Sequence, residues 1–128
     1  MGYNWAKKKM KKVFVLAMLL GFVFVANAQQ DKANVPGDNG NTVLVSVSAD
    51  SQTSSTITFY NNSTKSIEVC VSVYNDQGGE VGKGCYSVPG AAAQGYHSET
   101  TKTLTKKGAC SSCTSGCETK RIKITSVK

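Results

Sequence analysis

Three cysteines within eight residues, Cys110-Ser111-Ser112-Cys113-Thr114-Ser115-Gly116-Cys117, are the side chains of this chain best suited to chemistry. With His97, the only histidine, they make up a Cys3His set of the kind that holds Zn²⁺. Structural zinc sites usually present their ligands as two paired knuckles, however, and nothing in the sequence fixes the approach of His97, thirteen residues before Cys110. A redox role for Cys110-x-x-Cys113 requires a helix N-terminus whose dipole lowers the thiol pKa, and Gly116 and the absence of an apolar helical face provide no such helix. The favoured reading is a local bridge, Cys110 to Cys117 or Cys113 to Cys117, tying down a loop between the last two strands. No cofactor is expected. Because five cysteines cannot all pair within one chain, one thiol is left free or pairs with another molecule, which opens a disulfide-linked dimer.

No other grouping supports catalysis. His97 lies between Tyr96 and Ser98-Glu99, but adjacent strand residues point to opposite faces, so Ser98, His97 and Glu99 cannot form a triad. The eight carboxylates are scattered, and none is paired within an apolar stretch that would raise its pKa. The chain is therefore expected not to be an enzyme.

The N-terminus argues for export. Lys7, Lys8, Lys9, Lys11 and Lys12 precede the apolar run Val13 to Val25, which ends in Ala26-Asn27-Ala28. A cationic segment, an apolar core and small residues at A-x-A positions define a secretory signal peptide, here residues 1–28, cleaved after Ala28. Thirteen apolar residues rise only about 20 Å as a helix, whereas spanning a bilayer takes about 20 residues, so a transmembrane span is not expected after cleavage. Met10 is as good a start as Met1, and the signal resembles those of Bacteroidota-type exported proteins. A secreted or periplasmic location follows.

Export changes the meaning of the charge. The chain carries 15 Lys and Arg against 8 Asp and Glu, a formal +7. From Gln29 onward ten basic residues face all eight acids, leaving +2. The excess that would suggest nucleic acid thus belongs to the signal peptide, and no aromatic residues interleave with the remaining basic ones, so nucleic acid is not an expected partner. Six of those ten, Lys102, Lys106, Lys107, Lys120, Arg121 and Lys123, flank the cysteine cluster. If the flanks are neighbouring strands, the loop sits in a basic surround able to attract a protein, a glycan or an anionic surface. Against this, lysines also protect exposed edge strands, and that reading is preferred.

The elements that must position these residues read as strands. Residues 29–41 are polar, hold Pro36-Gly37-Asp38-Asn39-Gly40 and are expected to be a flexible leader. Residues 42–128 then alternate with period two around Val43, Val45, Val47, Ile57, Phe59, Ile67, Val69, Val71, Val73, Tyr86, Val88, Leu104, Ile122 and Ile124, the expected core. Turn residues separate the runs at Asp50-Ser51-Gln52, Asn61-Asn62-Ser63, Gly78-Gly79 and Pro89-Gly90. Tyr96 to Thr105 reads as a further strand with a polar outer face. The expectation is an all-β fold: a small antiparallel β-sandwich, Ig-like, of six or seven strands, forming a single domain stapled by disulfides.

One staple follows from register. Ile67 to Tyr74 and Glu80 to Val88 flank the turn-rich Asn75-Asp76-Gln77-Gly78-Gly79, a hairpin pattern. Pairing Cys70 with Cys85, Val69 with Tyr86 and Ile67 with Val88 puts the cysteines on one face and the apolar residues on the other, which a one-residue slip would destroy. A Cys70 to Cys85 bridge is expected, contributing about 3 kcal/mol by closing a 15-residue loop.

The stretch Ile57-Thr58-Phe59-Tyr60-Asn61-Asn62-Ser63, the Ile67 to Tyr74 strand and Gly84-Cys85-Tyr86-Ser87-Val88-Pro89-Gly90 together resemble small secreted β-sandwich modules of thaumatin-like and aegerolysin-like type. The thaumatin-like resemblance implies a disulfide-rich sandwich acting on glycans or membranes. This chain is much shorter and lacks most of those cysteines and an acidic cleft, so no functional residue is carried over. Three functions are thus set out. The first is a non-enzymatic binding module using the Cys110 to Cys117 loop and its basic flanks. The second is a small secreted membrane-active effector, and the third a thiol or metal site at the cysteine cluster.

Overall fold

The computed structural model describes residues 29–108 and 116–128; the expected signal peptide, Cys110 and Cys113 lie outside them. The described residues form seven strands: β1 Gln30–Asn34, β2 Thr42–Asp50, β3 Ser54–Asn61, β4 Ile67–Tyr74, β5 Glu80–Val88, β6 Ser98–Thr105 and β7 Arg121–Val127. They make two antiparallel sheets, one in the order β1-β2-β3-β6 and one in the order β5-β4-β7. This is the expected β-sandwich, with the four-plus-three layout of an Ig constant-type domain. The strand order is its own, because β1, β2 and β3 form a meander within one sheet.

Period-two alternation accounts for the layers. Val43 and Val45 of β2, Ile57 and Phe59 of β3, and Val69, Val71 and Val73 of β4 are buried between the sheets with Ile67, Val88, Leu104 and Ile122. Val47, Tyr86 and Ile124 pack against this core while only partly buried, and Val35, Val81 and Cys117 complete it. Each fully buried Val or Ile contributes about 1.5–3 kcal/mol relative to exposure. The Phe59 and Tyr86 rings meet across the layers, 5.7 Å between centroids, and burial pushes the Tyr86 hydroxyl pKa above its ordinary value.

The β4–β5 hairpin has the register expected from the cysteines. Cys70 faces Cys85, Val69 faces Tyr86 and Ile67 faces Val88. The Cys70–Cys85 disulfide is formed, with Cα atoms 4.0 Å apart, on the outer face of the three-stranded sheet.

The 29–41 segment departs from expectation. Instead of a flexible leader, Gln30–Asn34 pairs with β2 as an edge strand, and the sandwich therefore begins before residue 42. Gly37 and Gly40, at φ 74° and 83°, turn the chain, and Val35, 2% exposed, plugs the core. Hydrophobic alternation could not reveal β1, because Gln-Asp-Lys-Ala-Asn has a single apolar residue, Ala33, against the core and is otherwise held by backbone pairing and one polar side-chain contact. That contact is Asp31 Oδ2, which accepts the Ile124 amide of β7 at 2.8 Å and ties the two sheets at their shared edge.

At one end of the sandwich, the crossing from β3 to β4 is pinned by buried polar groups. Asn61 Nδ2 donates to the carbonyls of Lys65 and Pro89 at 2.9 and 3.1 Å, and Asn61 Oδ1 accepts the Ser63 amide at 2.9 Å. Ser63 Oγ donates to Asp38, and this bond, followed by that from Asn41, holds the partly exposed Asp38 carboxyl below its ordinary pKa. Gly90 is packed against this crossing so closely that a Cβ there would lie 2.2 Å from the Thr64 carbonyl oxygen.

Candidate functional site

The connection carrying the cysteine cluster leaves β6 in one sheet and enters β7 in the other. Both of its ends are fixed to the β2–β3 turn by one buried polar clamp. Lys106, whose side chain is 0% exposed, turns inward: its Nζ lies 3.0 Å from Asp50 Oδ1, donates to the Ser51 carbonyl at 2.7 Å and donates to the Cys117 carbonyl. Asp50 Oδ1 also accepts Ser55 Oγ at 2.5 Å, and Asp50 Oδ2 accepts the Thr119 amide at 3.0 Å. The Ser55 and Thr119 hydroxyls, both in fully buried residues, are 2.8 Å apart. Desolvation raises the Asp50 pKa, but the bonds from Ser55, the Thr119 amide and Lys106 outweigh it and leave the carboxyl below its ordinary value.

Above the clamp is an open cleft of about 530 Å³ lined by Asp50, Ser51, Asp76, Gly116, Glu118 and Lys120 among others. Cys117 forms part of its wall, is 5% exposed and is disulfide-bonded. Asn75 Nδ2 donates to the Gly116 carbonyl at 2.8 Å, so the β4–β5 turn also supports this end of the connection.

The expected basic surround is not what the fold builds. The flanks of the loop are not neighbouring strands, since β6 and β7 lie in different sheets. Lys106 is a buried structural cation rather than a surface contact. Lys102 lies opposite Ile57 on the core-facing side of edge strand β6 and is half-buried, an arrangement that obstructs edge pairing. Lys107 is bridged to Glu80 at 2.9 Å and Lys120 to Glu118 at 3.3 Å. Glu80 also accepts Ser72 Oγ at 2.8 Å, and the Lys107 and Ser72 bonds hold its carboxyl below the ordinary range. Arg121 stacks on the Tyr74 ring at 5.2 Å, and Lys123 lies opposite Ser72. The cleft is thus lined by three carboxylates, Asp50, Asp76 and Glu118, and one cation, Lys120, with Lys106 buried beneath Asp50.

The Cys3His set is also not assembled. His97 stands just before β6 with its ring against Tyr60, 5.9 Å between centroids, whereas the clamp holds Cys117 beyond the other end of that strand. Eight residues of β6 put on the order of 25 Å between them, and the sulfur of Cys117 is in a disulfide rather than available as a thiolate. Among the described residues, no three His, Cys, Asp or Glu side chains are gathered to hold a metal, and no helix is long and apolar enough to cross a membrane.

The clamp was not legible as a site. Asp50 reads as a turn residue and Lys106 as one of several surface lysines, and only the closing of the sandwich across their 56-residue separation brings them together. Fold and geometry define a seven-stranded antiparallel β-sandwich whose last crossing is anchored by a buried ion pair. No protein-family model, curated protein or solved structure matches the chain.

Proposed function

We propose that this chain is an exported binding module, secreted or periplasmic once residues 1–28 are removed, which presents the 106–120 connection as its ligand-facing end and performs no catalysis. The observation that carries this reading is the clamp. A buried Lys–Asp pair is costly to desolvate, and here it fixes both ends of the connection to the sandwich, the arrangement by which sandwich folds present recognition loops. The disulfides at Cys70–Cys85 and at Cys117 suit an oxidising compartment. With three carboxylates at this end against Lys120 in the wall and Lys106 buried beneath Asp50, recognition here is not steered by a basic patch.

Site-specific photo-cross-linking in the exported protein tests this. A photoreactive amino acid at position Glu118, beside the cleft, is expected to give a discrete adduct. The same residue at Glu68, at the far end of β4, is expected to give none. Adducts from both positions, from Glu68 alone, or from neither would overturn the assignment.

A further inference from the structure

The outer face of the four-stranded sheet, on the opposite side of the sandwich from the Cys70–Cys85 disulfide, carries a regular array of hydroxyls. Register places Gln30, Ser46, Thr58 and Thr101 in one row across all four strands. Thr56 and Thr103 form part of the next row, and Ser48 joins the array by accepting from Thr58 Oγ1 at 3.1 Å and donating to the Thr56 carbonyl at 3.2 Å. The Thr58 and Thr101 hydroxyls are 3.4 Å apart; Thr58 is 5% exposed and anchors the array from beneath, while Ser48, Thr101 and Thr103 are its exposed members. Neighbouring hydroxyls therefore recur at roughly 4.8 Å between strands and roughly 6.7 Å along them. Their rotamers are restricted by branching at the threonines, so little freedom remains to be lost on binding.

Two further observations indicate what this face fits. The two hydroxyl rows carry no charged side chain, and the next row, Lys32, Leu44, Tyr60 and Glu99, holds one charge of each sign. Of the cations in the last third of the chain, Lys102 turns to the core side of β6, and Lys106, Lys107, Lys120, Arg121 and Lys123 are paired, stacked or on the other sheet. An ionic ligand would leave its charge uncompensated there, and a lipid surface would meet hydroxyls instead of apolar or cationic groups. At the end of the face, one row beyond Thr58, the Tyr60 ring meets His97 edge-on, and the adjoining Tyr96 is 66% exposed. Aromatic rings stack on the C–H faces of sugars, and hydroxyls that both donate and accept match sugar hydroxyls.

We propose that the outer face of β2, β3 and β6 binds a neutral polysaccharide chain, with the Tyr60–His97 corner as the stacking platform and the hydroxyl rows as hydrogen-bonding partners. The face is separate from the cleft, so each assignment stands or falls without the other.

Co-sedimentation of the mature chain with cellulose, chitin and an insoluble β-1,3-glucan tests it. Retention is expected on at least one of the three and should persist in about 1 M NaCl, where ionic contacts are screened. The Thr101→Val/Thr103→Val double substitution, which keeps shape and removes two hydroxyls, is expected to weaken retention about tenfold. Tyr96→Ala, at an exposed position that the core does not use, should weaken it as well. Absence of retention on all three polymers, loss of retention in high salt, or retention unaffected by both variants would overturn the proposal.

Discussion

Lys106 Nζ lies 3.0 Å from Asp50 Oδ1 with its side chain wholly removed from solvent, and the pair joins the β2–β3 turn to the connection that leads into β7. Removing one partner of such a pair strands the other. Asp50→Ala is therefore expected to destabilise the domain by about 3 kcal/mol or more, and Lys106→Met by a smaller amount, because the Asp50 carboxylate is 20% exposed and keeps its bonds from Ser55 and Thr119. Urea unfolding of the oxidised protein measures both. Equal and negligible losses would mean that the pair does not hold the connection.

The same carboxylate sets an acid limit. Its folded pKa is depressed, so the unfolded chain takes up the proton first as pH falls. The stabilisation is complete above the ordinary carboxylate value and drains away as pH drops through the folded one. Asp38 and Glu80 are shifted in the same direction, so Asp50→Asn is expected to flatten the acid limb of a stability–pH profile without abolishing it. An unchanged acid limb in that variant would contradict the geometry of the clamp.

The Cys70–Cys85 staple closes the β4–β5 hairpin on the outer face, where neither sulfur fills the core. The double substitution Cys70→Ser/Cys85→Ser is expected to cost about 3 kcal/mol, mainly by freeing the unfolded chain, while leaving the strands intact. Chemical unfolding together with the far-ultraviolet circular dichroism of the folded state would check both halves of that statement.

Gly90 is a steric requirement. A Cβ would sit 2.2 Å from a backbone oxygen of the β3–β4 crossing, which cannot swing aside as a side chain could. Gly90→Ala is expected to lose about 1–3 kcal/mol, as overpacking does, whereas Gly108→Ala, where a Cβ meets nothing within 4 Å, should be close to neutral. Thermal melts of the two variants give the comparison.

What the sequence revealed, it revealed through periodicity. The alternation of valines and isoleucines specified the core, and the two cysteines with their alternating neighbours specified the register of β4 and β5 to the residue. What it concealed was polar. The edge strand β1 has no apolar alternation and is held by β2 and by Asp31 reaching Ile124. Lys102 and Lys106 are basic residues in a basic stretch, and only the partner strand and the crossing between sheets show that one faces inward along an edge and the other is buried. The hydroxyl rows were visible as a Thr-rich stretch on β6, but their continuation onto β2 and β3 depends on tertiary pairing.

The most direct test of the account is to repeat the cross-linking from position Glu118 in a Lys106→Met background, with hydrogen exchange at the Thr119 amide reporting whether the clamp has opened. If the clamp positions a binding end, faster exchange at Thr119 will accompany a severalfold loss of the adduct. Faster exchange with an undiminished adduct would contradict the claim that this end of the sandwich is held in place in order to bind.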